Sequence, residues 1–280
     1  MPYAHVNDAK LYYEVHGEGE PFVFIAGTGS SSEYMKIATV PWLSRDFQVI
    51  IYDARGTGRS DKPDQPYSTR AFARDTVGLL EHLGISRAHV GGRSMGGRVA
   101  QWVAIDAPYR VGALVLSNSG PGSWVNAKGQ VFEPTRGLPY EAALKLIELG
   151  YEGYLKQHRE SDFMFTPEFA EANPGIVQQF RERSGDPTPL PNYLRHVIAR
   201  QQHETRELLH QIQAPTLVID GVDDTVSLAT GNHVESSREL ARGIPGAELV
   251  LYPGAHNFLI ENPESHQIII DFVKRHPLGS

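Results

Sequence analysis

The arrangement of apolar runs predicts an α/β protein: a mostly parallel, twisted sheet with helices on both faces, interrupted by one helical insertion. Three observations carry this. Short apolar runs at 22–26, 47–52, 87–90, 113–116, 215–220 and 247–252 have the length of buried strands. Helical patterns at 68–83, 98–106, 229–242 and 264–275 fall between or after them, and such alternation means parallel strands joined by crossover helices. The stretch 123–213 breaks the alternation with helical patterns and no convincing strand.

Residues 4–15 alternate in hydropathy and break at Asn7-Asp8, so they form two strands of an antiparallel hairpin ending at Gly17-Glu18-Gly19. The run 22–26 leads into the small-residue loop Gly27-Thr28-Gly29-Ser30, and 47–52 ends at Asp53. In 68–83, Ala71, Phe72, Val77, Leu79, Leu80 and Leu83 recur at helical spacing, closed by Gly84. A helical insertion between parallel strands lands above their C-terminal ends, where such sheets bind ligands. The expected organisation is therefore a core of 1–122 and 214–280 with a helical cap at 123–213, divided by the proline-rich Asp186-Pro187-Thr188-Pro189-Leu190-Pro191.

At 280 residues, 40% hydrophobic and 21% charged, the chain suits one large globular domain with an insertion. A net charge of −7 without any run of lysines and arginines argues against nucleic-acid and anionic-membrane partners. No apolar stretch approaches bilayer length and residues 1–10 hold no apolar leader core, so a cytoplasmic location is expected. The absence of cysteine excludes disulfides and thiolate metal sites.

Chemistry centres on Gly92-Arg93-Ser94-Met95-Gly96, a Gly-x-Ser-x-Gly pattern between the run 87–90 and the helix 98–106. A serine on a tight strand-to-helix turn is lifted clear of the sheet edge, with the first N–H groups of the helix facing the same space. Gly92 and Gly96 stand where a side chain would strike the neighbouring strand or helix. A nucleophilic serine needs a base and a carboxylate. Among twelve histidines, His256 alone follows a late strand in a glycine-containing loop, Tyr252-Pro253-Gly254-Ala255-His256; a neutral imidazole titrating near neutrality would take and return the serine proton. The carboxylate falls in Asp220-Gly221-Val222-Asp223-Asp224, where Asp220 belongs to the strand end and Asp223 and Asp224 share the loop.

On these ordered motifs, over residues 22–273, the chain resembles the α/β-hydrolases, in which serine, acid and histidine follow in that order. The resemblance to members carrying Gly-x-x-Asp after this strand selects Asp224, with Asp223 as the alternative; Ser117-Asn118-Ser119 offers no acid at the other position some relatives use. By the same resemblance the oxyanion would rest on the backbone N–H groups of Thr28 and Met95, in a loop where Ala26-Gly27 replaces the usual His-Gly. Ser94-Met95-Gly96-Gly97, Gln101-Trp102, Ala107-Pro108 and Ala214-Pro215-Thr216-Leu217 are most similar to the 3-oxoadipate enol-lactonase and small carboxylesterase group. That resemblance implies an acyl-enzyme on Ser94, a small ester or lactone substrate, and no metal or cofactor. Alternatives on the same fold are hydrolysis of a carbon–carbon bond in a ring-cleavage product, cofactor-free perhydrolysis, or a non-catalytic small-molecule receptor.

Other features have plainer readings. Arg93 departs from the residues usual before the nucleophile and either pairs with a buried carboxylate or faces a substrate acid. Gly27-Thr28-Gly29 and Asp53 only weakly suggest a dinucleotide site, since residue 32 is serine. His196, His203 and His210 recur every seven residues on an expected helix, about 10 Å apart, which is too far to chelate one metal and fits a solvated face.

Overall fold

A computed structural model describes residues 2–122, 148–150, 153, 164–183, 188–224 and 233–279. The hairpin is β1 (Tyr3–Val6) and β2 (Ala9–His16), turning at Asn7, whose φ of 53° is one that asparagine tolerates. Then come β3 (Pro21–Ile25), α1 (Ser32–Ala38), α2 (Val40–Leu43), β4 (Gln48–Tyr52), α3 (Thr69–His82), β5 (Ala88–Arg93), α4 (Met95–Asp106) and β6 (Val111–Ser117). Between β6 and β7 (Thr216–Gly221) the described residues form α5 (Pro167–Ala172), α6 (Pro174–Arg183), α7 (Leu190–Gln201) and a short 3-10 turn, and no strand. The chain closes with α8 (His233–Gly243), β8 (Glu248–Tyr252), α9 (Phe258–Glu261) and α10 (His266–Lys274).

The eight strands form one sheet in the order β1-β2-β4-β3-β5-β6-β7-β8, antiparallel only at β1-β2 and β2-β4. Both faces are buried by period-two alternation. Val23, Ile25, Ile50, Leu114, Leu116 and Val218 pack on one face, while Phe22, Phe24, Val49, Ile51, Val115, Leu217 and Ile219 pack on the other. Among the described residues no helix is long and apolar enough to cross a membrane.

Two boundaries differ from the sequence reading for the same reason. β5 continues past Val90 to Arg93, and α4 starts at Met95 rather than at 98. Glycines hide both ends from any hydrophobic pattern, yet close contact requires them: a Cβ on Gly92 would lie 2.2 Å from the Gly96 carbonyl oxygen, and one on Gly96 would lie 2.1 Å from that of Ile25. The start of the expected helix at 229–232, and 123–147 of the insertion, lie outside the described residues.

Candidate active site

The C-terminal ends of β3, β5, β6, β7 and β8 lie side by side in the parallel part of the sheet and carry the loops that build the site. Ser94 occupies the turn between β5 and α4 with φ 56° and ψ −121°, outside the regions a serine ordinarily adopts. The turn is held by Ser94 N–H donating to the Ser117 carbonyl at 2.9 Å and by the Ser119 hydroxyl donating to the Ser94 carbonyl at 2.9 Å. A Cβ on Gly27 would come within 3.3 Å of the Ser94 Cβ, so the loop after β3 lies directly against the serine. Among the described residues, the N–H groups of Thr28 and Met95 meet no acceptor.

His256, in the loop after β8, donates from Nδ1 to Asp224 Oδ2 at 2.6 Å, and both residues are buried. Asp223 is exposed, and among the described residues its carboxylate accepts only the Gly254 N–H, at 3.3 Å. Of the two adjacent acids, Asp224 is therefore the one on the histidine. Burial pushes the His256 imidazole down to about 4, with the nearby Arg93 charge adding to the effect and the Asp224 carboxylate opposing it. The sequence reading put this ionisation near neutrality; desolvation moves it into the acid range and leaves a neutral imidazole at pH 7.

Behind the Asp224–His256 pair lies a polar cluster that no motif announced. Asn118, at φ 47° just past β6, donates from Nδ2 to Asp220 Oδ1 at 2.7 Å and to Asp224 Oδ2 at 2.9 Å. Ser237 donates to Asp220 at 2.5 Å, and His233 Nδ1 lies 3.4 Å from Asp220 Oδ2 and 4.0 Å from Asp224 Oδ2. Burial raises the Asp220 carboxyl to about 6. Burial opposes charge on His233 as well, but the Asp224 and Asp220 carboxylates hold it above the usual histidine value. Ligand atoms of Asp224, His233 and His256 lie within 4.8 Å of one another, the one such grouping among the described residues, but Asp224 and His256 already hydrogen-bond each other there. Asp220 is legible only as a strand end and His233 only as part of a helix; they meet because α8 packs back against β7.

Among the described residues, Arg93 does not pair with a buried carboxylate. It is buried, and its guanidinium donates from Nε and Nη2 to the His256 carbonyl at 3.2 and 2.8 Å and from Nη2 to Asn257 Oδ1 at 2.6 Å. The Tyr34 ring lies 5.0 Å away, and its hydroxyl donates to the same Asn257 oxygen at 3.1 Å. The residue before the serine thus fastens the backbone of the histidine.

Helix α7 is clamped to the loop after β3. Thr188 donates to the Gly29 carbonyl at 2.9 Å, Gly29 N–H donates to His196 Nδ1 at 3.4 Å, and a Cβ on Gly29 would sit 2.8 Å from the Tyr193 ring. His196 is not on a solvated face: it is fully buried, and its Nε2 donates to the Arg55 carbonyl at 2.8 Å. His203 lies beyond the end of α7 and is also buried, its ring nitrogens 2.9 Å from Thr69 Oγ1 and 3.3 Å from Thr205 Oγ1; only His210 is exposed. The heptad spacing failed because the helix stops at Gln201. Asp53 likewise has a structural task, accepting the N–H groups of Ser32 at 2.6 Å and Arg59 at 2.8 Å, which leaves the dinucleotide reading without its acid.

Comparison with known proteins agrees with this architecture. A family profile described as alpha/beta hydrolase fold matches residues 20–263. A protein of Azorhizobium caulinodans assigned as a carbamate hydrolase, RutD, is 32% identical over 271 residues, covering 94% of each chain. The enol-lactonase from Burkholderia xenovorans LB400 superposes with a TM-score of 0.82 at 26% identity, over 98% of this chain and all of that one. Est816, an N-acyl homoserine lactone degrading enzyme, superposes with a TM-score of 0.76 at 29% identity, over 96% of this chain and 99% of that one.

Proposed function

The chain belongs to the α/β-hydrolase family, and on that premise we propose that it is a serine hydrolase that opens a small carboxylic ester or lactone through an acyl-enzyme on Ser94. The observation that carries this is the 2.6 Å hydrogen bond from His256 Nδ1 to Asp224, on a histidine whose backbone is pinned to the residue beside Ser94. Nδ1 is occupied by the carboxylate, so Nε2 is the nitrogen left to exchange a proton.

Ser94 Oγ attacks the carbonyl carbon as its proton passes to His256 Nε2. Charge gathering on the carbonyl oxygen is received by the N–H groups of Thr28 and Met95. The imidazolium, stabilised by Asp224, gives its proton to the leaving alkoxide as the carbon–oxygen bond breaks. Water, deprotonated by the same nitrogen, then releases the acid and restores Ser94. In this reading residues 123–213 cap the site, and α7 is where the cap grips the oxyanion loop. Relatives named for carbamate, enol-lactone and acyl homoserine lactone substrates support acyl transfer to water and leave the substrate to this chain's own residues.

The test is intact mass and peptide mapping after exposure to a fluorophosphonate. One adduct on Ser94, lost in His256→Ala, is the expected result; a folded protein that takes up none refutes the mechanism.

A further inference from the structure

Arg200, at the end of α7, directs Nη1 to Thr28 Oγ1 at 3.4 Å, and so stands over the loop that faces Ser94. It is half-buried, and among the described residues no carboxylate pairs with it. The neighbouring charge is of the same sign. Arg98, one turn into α4 from Ser94 and 4% exposed, donates from Nη1 to the Arg200 carbonyl at 2.6 Å. Burial first, and the Arg200 charge second, push the Arg98 guanidinium down to about 9, with the Glu204 carboxylate opposing them. The acids nearby are otherwise engaged: Glu204 is exposed and bonded to Arg206 at 3.1 Å, and Asp220 and Asp224 are buried in the cluster with Asn118. A half-buried guanidinium that meets no carboxylate among the described residues, on the loop that lies against the serine and with a second guanidinium acting near it, is an arrangement that an arriving anion relieves.

We infer that Arg200 binds a carboxylate on the substrate, so that the ester or lactone opened at Ser94 is an anionic one. The inference rests on the serine-hydrolase reading and deepens it. A single guanidinium matches a single carboxylate in charge and in its planar, two-pronged geometry. Arg98 sits behind it with one arm committed to the Arg200 backbone, which fixes where α7 ends relative to the elbow helix. Arg200 is thus a specificity residue: it decides which acyl compound stays long enough to be attacked.

The test compares two near-isosteric activated esters, mono-4-nitrophenyl glutarate and 4-nitrophenyl pentanoate, on the native chain and on Arg200→Gln. A charge-assisted contact predicts that the native chain prefers the glutarate by about ten- to hundredfold in kcat/KM, chiefly through KM. The ratio should collapse toward one in Arg200→Gln, lie between in Arg200→Lys, and shrink with added salt in the native chain. A second measurement needs no turnover: free glutarate should slow fluorophosphonate labelling of Ser94 in the native chain and not in Arg200→Gln, while pentanol acts alike on both. Equal rates on the two esters, or a preference that survives Arg200→Gln, overturns the role of Arg200 and leaves the hydrolase reading standing. Labelling that fails outright, with neither ester cleaved, overturns the hydrolase reading and this inference with it.

Discussion

His256 and His196 are both buried and both pushed to about 4 by burial, yet the proposed mechanism gives them different tasks. His196 has each nitrogen on a backbone group, accepting from Gly29 and donating to Arg55, so it is a neutral pin between α7 and two loops. His256 has one nitrogen on a carboxylate, and among the described residues its other nitrogen meets no partner. A depressed pKa therefore does not mark the base. What marks it is an ionisable partner on one side and an uncommitted nitrogen on the other, since only that arrangement lets charge form and then be stabilised.

The sharpest break of this comparison is a pair of substitutions. His256→Ala should reduce ester turnover by about 10⁴-fold or more with little change in melting temperature. His196→Gln should do the reverse, retaining most turnover while costing about 1–3 kcal/mol in denaturant melts through its two stranded backbone groups. If both variants lose activity in proportion to stability, the distinction between base and pin fails.

The partner can be tested in the same way. Asp224→Asn, which keeps the shape but lets the wrong tautomer form, should cost about 10⁴-fold in kcat, whereas Asp223→Asn should stay within a few-fold, because among the described residues the Asp223 carboxylate accepts only the Gly254 N–H. Reversed effects would transfer the acid's role to Asp223. A smaller effect belongs to Arg93→Met, which removes both hydrogen bonds to the His256 carbonyl. It should lower kcat by about ten- to hundredfold, and it should also raise the acid limb of the rate profile, since the Arg93 charge is one of the influences holding His256 low.

How much of this could be read in the chain follows from the physical range of each signal. Strand runs, the glycines around Ser94, and the loop holding His256 are local, and each announces itself by spacing or by the need for a residue without a side chain. Asp224 was narrowed by resemblance rather than by any residue near it. Arg93 and Asn118 stayed illegible because the contacts that define them cross the C-terminal edge of the sheet, 102 positions from Asn118 to Asp220 and 164 from Arg93 to Asn257. His196 was misread because helical spacing looks alike on a solvated face and on a helix clamped under a loop, and His203 because the helix stops at Gln201 before reaching it. Polar residues carry no mark of whether they will find partners inside.

The finest test of the comparison separates the two histidines by pH alone. An imidazole held neutral by burial contributes stability that is complete above the unfolded value near 6.5. That stability is lost as pH falls toward the folded value of about 4, because only the unfolded chain takes up the proton in that window. For His196 the loss at pH 4 is about 3 kcal/mol. Native stability should therefore decline from pH 6.5 downward, and His196→Gln should flatten part of that slope. The kinetic limb should behave otherwise: kcat/KM, measured in brief assays before unfolding, should hold level from pH 8 to about 5 and fall only as His256 protonates near 4. His196→Gln should leave that limb where it is, since its ring nitrogens are on Gly29 and Arg55 and not on the Asp224–His256 pair. A kinetic limb that appears near 6.5 in the native chain would place His256 in a wetter, more open setting than its burial implies, and would make the two histidines differ in solvation as well as in partner.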